Sequence, residues 1–165
     1  GIQKNKKTSL AELTAVKRKI AVREEMMNNT SRDLRRLDDE IYAINLDIYR
    51  YSKELENLKK QYAQSLVFAY KNRSNYDYLN FLFSATSFND AIKRMRYLKS
   101  YRKQRETQLN TILKTQQVLD SKKVSFESSK KEKNLALQEQ TKNMQALESD
   151  KQEKNKVVAG LKSQE

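Results

Sequence analysis

The sequence contains no cysteine and no histidine, and these absences exclude most recognisable enzyme chemistry. Thiol catalysis, disulfide bonds and imidazole acid–base catalysis each need one of these residues, as does nearly every zinc site. Only two glycines are present, Gly1 and Gly160, so no glycine-rich phosphate loop can form. The carboxylates do not cluster without interleaved lysine or arginine. We therefore expect no catalytic residue, no metal and no cofactor, and we do not expect this chain to be an enzyme.

Proline is also absent, and a chain without proline or frequent glycine can form very long helices. Of the 165 residues, 33% are charged and 37% are apolar, a composition typical of coiled coils. No apolar run approaches the roughly 20 residues that span a bilayer. The formal net charge of +13 favours anionic partners, although basic side chains often only solvate the outer faces of helices.

A strict three-four spacing in the first half of the chain predicts a long coiled-coil helix. Such spacing keeps one face, the seam, buried against a partner helix. We expect this helix at residues 2–71, with residues 2–8 frayed and a cap at Thr8 or Ser9. The predicted seam consists of Leu13, Val16, Ile20, Arg23, Met27, Thr30, Leu34, Leu37, Ile41, Ile44, Ile48, Tyr51, Leu55, Leu58, Tyr62, Ser65 and Ala69.

Residues 72–75 interrupt this pattern, because they are poor helix formers and favour a turn. A short helix is expected at residues 76–84, with Leu79, Leu82 and Phe83 on one face. Ser87 followed by Asp90 resembles a second helix start, since the serine hydroxyl can cap a free amide. We therefore expect a tip at residues 72–87 and a second long helix at residues 88–163.

The second long helix carries a seam that polar residues interrupt. Two helices of similar length with a short link most simply fold back on each other. The predicted fold is therefore all-α, a single domain over residues 1–165: a long antiparallel two-helix coiled-coil hairpin with a short helical, aromatic-rich tip. Tyr70 would lie near Ser100, and Leu34 near Ala136. A parallel coiled coil between chains is the alternative. The predicted seam contains Ala91, Met95, Leu98, Leu109, Ile112, Gln116, Leu119, Lys123, Phe126, Lys130, Lys133, Leu137, Gln140, Met144, Leu147, Lys151, Lys154, Val158 and Leu161.

The tip is the strongest candidate for partner contact, because ten of the fourteen aromatic residues lie between Tyr62 and Tyr101. Some of them could form a small core that closes the hairpin, and we favour this role for Leu79, Leu82, Phe83 and Leu98. A single short helix cannot easily bury both Phe81 and Phe88, and exposed apolar patches usually mark interfaces.

Basic residues accompany these aromatics, with seven lysines or arginines and no acidic residue between Ala91 and Arg105. Aromatic and basic side chains together are also typical of nucleic-acid binders. Arg94, Arg96 and Arg102 would then make the contacts in a cytoplasmic nucleic-acid-binding coiled coil. A purely structural coiled coil is a third possibility. The cations are spread around the helix and form no single stripe, so nucleic acid is not the expected partner.

The tip resembles the coiled-coil domain of murein hydrolase activators of the EnvC type and, more loosely, of PcsB. The resemblance lies in an Ala-Tyr-Lys lead, a short Leu/Phe helix, a Ser-x-x-Ser-Phe-x-Asp turn and an Arg-x-x-Tyr-Leu helix. In this sequence these motifs are Ala69 to Lys71, Leu79 to Phe83, Ser84 to Asp90, and Arg94 to Leu98.

The resemblance implies a periplasmic regulatory module that binds the extracytoplasmic loop of FtsX, part of the FtsEX complex, during cell division. It also implies a LytM-like domain beyond Glu165, to which movement of FtsX would be relayed. That domain would activate N-acetylmuramoyl-L-alanine amidases or cut peptidoglycan itself. The expected partner-binding residues at the tip are Tyr78, Phe81, Phe83, Phe88, Arg94, Tyr97 and Tyr101.

Overall fold

A computed structural model of the chain describes residues 1–71 and 75–164, with only the backbone described at residues 75–77. It contains three helices, α1 (Ile2–Lys71), α2 (Asn75–Phe83) and α3 (Phe88–Lys162). No strand occurs in these ranges, and α1 packs against α3 as an antiparallel hairpin, so the predicted all-α hairpin is confirmed. The predicted turn residues 72–74 lie outside the described residues.

Ion pairs between α1 and α3 fix the hairpin register. Lys122 Nζ lies 3.0 Å from Asp47 Oδ2, and Lys133 Nζ lies 2.6 Å from Asp38 Oδ1. Both pairs fall within one residue of the predicted register. The parallel alternative is wrong as a description of this chain, because the two helices pair within it in opposite directions.

The α1 seam was predicted correctly along its whole length. Every predicted seam residue from Leu13 to Ala69 is buried or partly buried, and Leu37 is only 1% exposed. The helix begins at Ile2, so the expected fraying of residues 2–8 and the expected cap at Thr8 or Ser9 are wrong. The Thr8 hydroxyl donates to the Lys4 carbonyl of the preceding turn at 2.9 Å, so this residue bonds within the helix and does not cap it.

The α3 seam differs from the prediction by one residue at every second position. Met95, Leu109, Leu137 and Met144 are exposed, whereas the predicted positions between them, such as Ile112 and Leu119, are buried. A seam can step by three or by four residues, and the apolar residues favoured the wrong step. The side chains that are buried at these steps instead are mostly polar. They include Arg94, Gln108, Thr115, Lys122, Ser129, Ala136, Asn143 and Asp150.

The chain divides into two compact units, which we call the turn unit (Ile44–Ser125) and the terminal unit (Gly1–Ala43 with Phe126–Glu165). In the turn unit, Leu55, Ile112 and Leu119 form an apolar core. Ile48, Tyr51, Leu58 and Tyr62 are packed against it. Burial of apolar surface therefore supplies most of the stabilisation in this unit.

The terminal unit places charged and amide groups in its seam. Arg23 Nε donates to Asp150 Oδ2 at 2.8 Å, and Lys19 Nζ lies 3.2 Å from Asp150 Oδ1. Burial acts to raise the pKa of Asp150, but the bonds from Arg23 and Lys19 outweigh it and hold the pKa below its ordinary value. Gln140 Nε2 also donates to Ser31 Oγ at 3.0 Å and to the Met27 carbonyl at 3.3 Å.

Candidate partner-binding surface

The short helix α2 lies against the start of α3 with one narrow face turned inward. Tyr78 and Leu82 on this face are partly buried, as predicted for Leu82. The predicted closing core is wrong for Leu79 and Phe83, which are 48% and 81% exposed. A nine-residue helix can bury only one stripe, and here the stripe passes through positions 78 and 82.

The N-terminus of α3 is capped as the sequence predicts. The Asp90 amide donates to Ser87 Oγ at 3.1 Å, and the Thr86 amide donates to Asp90 Oδ2 at 3.2 Å. The first bond satisfies a donor that a helix start leaves without an intrahelical partner, and the second ties the preceding connection to the first turn of α3. They fix the direction in which α3 leaves the connection at residues 84–87.

Arg94 holds the C-terminal end of α2 in place. Its Nη1 donates to the Phe81 carbonyl at 2.6 Å and to the Ser84 hydroxyl, and its Nε lies 3.3 Å from Asp90 Oδ2. The guanidinium also stacks over the Phe81 ring, 4.9 Å from its centroid. A cation bonded to a C-terminal carbonyl is favourable for the helix dipole. Nη1 and Nε of Arg94 are thus engaged within the chain, which gives this residue a positioning role, and its expected contact with a partner stays a prediction.

Four of the other expected contact residues line one apolar cavity of about 170 Å³. The Phe81 and Tyr97 rings lie 6.3 Å apart between centroids, and Tyr101 meets Phe68 edge to face at 5.4 Å. Such ring pairs add to the stabilisation from area burial. The full lining is Phe68, Ala69, Tyr78, Phe81, Tyr97, Leu98 and Tyr101.

The remaining expected contact residues, Phe83 and Phe88, do not line this cavity. They end α2 and begin α3, and they are 81% and 80% exposed. Tyr97 combines both situations, because it lines the cavity and is 62% exposed. Phe83, Phe88 and Tyr97 thus expose large aromatic side chains near the α2–α3 connection, which is typical of an interface.

The sequence reading missed the contribution of α1 to this surface. Leu66, Val67 and Phe68 are 45% to 54% exposed, and Tyr70 is 64% exposed. The signal was available, since three consecutive apolar residues between the seam positions Ser65 and Ala69 cannot all face the partner helix.

The candidate surface combines aromatic and basic side chains. Among the described residues, no group of three or more acidic side chains could hold a metal ion. Within the same ranges, no helix has the length and apolar character needed to cross a membrane. The exposed basic residues Arg96, Lys99 and Lys103 surround the aromatics on α3, so a partner with acidic groups is favoured.

Comparison with known families places this surface in context. Residues 48–125 match the family model described as the coiled-coil domain of peptidoglycan hydrolase PcsB. Searches of curated proteins and of solved structures returned no match. The matched segment contains α2 and the whole candidate surface. PcsB is the more loosely matching of the two families that the sequence motifs suggested. The finer EnvC-type assignment stays a prediction.

Proposed function

We propose that this chain is a non-catalytic binding and regulatory module of a peptidoglycan hydrolase system. It acts outside the cytoplasm, in the periplasm of an EnvC-type system, and its partner is the extracytoplasmic loop of FtsX. The similarity of residues 48–125 to the PcsB coiled-coil domain supports the cell-wall context. The observation that carries the binding role is the pair of exposed rings, Phe83 and Phe88, on either side of the α2–α3 connection.

In this proposal the hairpin relays movement of FtsX to a LytM-like domain. That domain would in turn activate N-acetylmuramoyl-L-alanine amidases or cleave peptidoglycan during cell separation. The polar seam of the terminal unit supports such a relay, because alternative pairings of polar seam residues differ less in energy than those of an apolar core.

Titration calorimetry of the chain against the FtsX loop tests the proposal. We expect a Kd in the micromolar range or tighter, and a loss of at least about tenfold in Phe88→Asp, because a charge in the interface centre must be desolvated. Phe88 is 80% exposed, so the melting temperature should hardly change. Tyr49→Asp is the matched control, since Tyr49 is 65% exposed on α1 of the same unit.

Three other outcomes would refute the proposal. A well-folded chain that does not bind the FtsX loop but binds DNA with a steep salt dependence would support the nucleic-acid alternative. A chain that binds neither would support a structural spacer. Equal losses in Phe88→Asp and Tyr49→Asp would show that the tip has no special role.

A further inference from the structure

Two seam arginines have contrasting surroundings. In the terminal unit, Arg23 Nε donates to Asp150 Oδ2 at 2.8 Å. In the turn unit, Arg105 is partly buried, and its Nε is buried without a hydrogen-bond partner among the described residues. None of the ion pairs between described residues includes Arg105 or its neighbour Arg102. The turn unit therefore holds a buried guanidinium N–H that has no acceptor among the described residues.

Such an arrangement is unfavourable in an isolated chain. A buried donor without an acceptor loses its hydration and gains no hydrogen bond in return. The opposing α1 seam supplies no carboxylate between Tyr62 and Ala69, where Ser65 already donates to Gln108 Oε1 at 3.2 Å. A buried N–H without an acceptor requires an explanation, and one explanation is that a partner supplies the acceptor to Arg105.

The surroundings of Arg105 form a cavity of about 290 Å³ that is suited to an anion. Tyr78, Leu98, Tyr101, Arg102 and Arg105 line it, and the Arg105 guanidinium lies 5.4 Å from the centroid of the Tyr101 ring. Two guanidinium groups and two phenol hydroxyls can all donate hydrogen bonds. Arginine forks match the geometry of a carboxylate in particular.

This cavity adjoins the apolar cavity described above, because Tyr78, Leu98 and Tyr101 line both. A protein segment with an apolar side chain next to an acidic one can fill the two cavities together. A free inorganic anion would use only the cationic half. The shared walls therefore favour an acidic residue of a protein partner.

We propose that the cavity around Arg102 and Arg105 is a carboxylate-binding site, which receives an aspartate or glutamate side chain of the partner while a neighbouring apolar side chain enters the adjoining cavity. The inference deepens the proposed function and rests on it for the identity of the partner. The chemistry of the site can be tested without that partner.

The first experiment follows the arginine Nε–Hε resonances of the ¹⁵N-labelled full chain by NMR. The probes are acetyl-Phe-Glu-amide and its uncharged counterpart acetyl-Phe-Gln-amide. We expect the Glu peptide to shift the Arg105 resonance to saturation, while the Gln peptide leaves it in place. The Arg23 resonance serves as the internal reference, because its acceptor is already Asp150. An equal response to both peptides, or no response to either, would overturn the inference.

Two further titrations sharpen this result. If inorganic phosphate shifts the Arg105 resonance and the Glu peptide does not, the site is not a carboxylate site for proteins and the inference is wrong. If Asp77→Asn shifts the same resonance in the free chain, an acidic residue of the chain itself is the acceptor, which also overturns the inference.

The second experiment uses the FtsX loop. We expect Arg105→Gln to raise the Kd by at least about tenfold, since truncating one partner of a buried charge pair leaves the other unpaired. Lys114→Gln also removes one positive charge at an exposed position of α3, but outside the candidate surface, and should alter the Kd less than twofold. Arg102→Gln, also exposed, repeats the test if Arg105→Gln lowers the melting temperature.

The two proposals fail in distinguishable ways. A loop that binds the chain with unchanged affinity for both Arg102→Gln and Arg105→Gln would overturn the carboxylate site and leave the proposed function standing. A loop that does not bind, with a chain that still responds to the Glu peptide alone, would refute the FtsX partnership and support the site.

Discussion

The turn unit and the terminal unit use the same helices but differ in what they bury. The turn unit buries Leu55, Ile112 and Leu119. The terminal unit also buries apolar side chains, including Leu37, but its α3 seam contains Asn143 and Asp150, which are 7% and 3% exposed. An apolar core stabilises without selecting one alignment strongly, whereas a buried ion pair selects one alignment and adds little net stability. The apolar core of the turn unit therefore contributes mainly stability, whereas the polar seam of the terminal unit mainly fixes the alignment of the two helices.

The largest effect is expected in the apolar core of the turn unit. Leu119→Ala should lower the free energy of unfolding by about 3 kcal/mol, because it removes buried methyl groups and leaves a cavity. Leu119 is 4% exposed, whereas its neighbour Val118 is 39% exposed. Val118→Ala is therefore the control and should cost less than about 0.5 kcal/mol in urea unfolding. Similar losses in both variants would contradict the assignment of this core.

A smaller loss is expected when the polar seam of the terminal unit is broken. Asp150→Asn should cost about 1–3 kcal/mol, because Arg23 then retains a poorer acceptor for a partly buried N–H. Replacing both partners, with Arg23→Met and Asp150→Leu, should recover this loss or exceed it. Urea unfolding measures both variants. If the double variant is less stable than Asp150→Asn alone, the ion pair contributes net stability in addition to fixing the alignment of the helices.

The same pair makes stability depend on acid. The pKa of Asp150 lies below its ordinary value of 3.8, so the carboxylate contributes stability in full above the unfolded pKa and loses it as the pH falls through the lower folded pKa. The difference between wild type and Asp150→Asn should thus be constant near neutral pH and shrink below pH 3.8. A difference that persists unchanged to pH 2 would contradict the role of this charge.

The smallest effect is expected at the α3 cap in the turn unit. Ser87→Ala removes the acceptor of the Asp90 amide and should cost about 1 kcal/mol. Amide exchange at Asp90 should accelerate while the Ile112 amide in the core of the unit is unaffected. Ser87→Asp, which keeps an acceptor, should restore slow exchange.

The sequence was sufficient for α1 because its apolar pattern has no competitor. Fourteen of the seventeen seam positions hold an apolar residue, and the observed burial follows the three-four steps from Leu13 to Ala69. The absence of proline, and of any glycine between Gly1 and Gly160, explains why the helices continue so far and why α1 extends past Thr8 to Ile2.

The α3 seam could not be predicted from apolar periodicity, because which α3 residues are buried depends on the α1 residues opposite them, such as Arg23. Met144 is apolar and Asn143 is not, yet Asn143 is buried and its Oδ1 lies 3.4 Å from Arg23 Nη1. Arginine at a seam position of α1 favours acidic or amide groups opposite it, and Asp150 and Asn143 lie seven residues apart as a seam requires. Pairing the polar residues of both seams would have found this step.

At the tip, composition identified the right residues but not their roles. The aromatic cluster was evident, and four of its expected members do line one cavity. The burial of Phe83 was predicted wrongly because a nine-residue helix offers several apolar stripes to choose from. The bonds from Arg94 to Phe81 and Ser84 select which stripe faces inward. Contacts between residues this far apart in the sequence do not appear in its hydrophobic periodicity.

The α2–α3 connection at residues 84–87 has a consequence for how this tip can vary among descendants of one ancestor. No described residue has a positive φ, so the connection relies on no glycine and no strained backbone. Its geometry comes from side chains that flank it, namely Ser87, Asp90 and Arg94. Thr86 is exposed and bonds to Asp90 only through its backbone amide, so its side chain can change by mutation, and selection can reshape the exposed rings nearby without first rebuilding the turn.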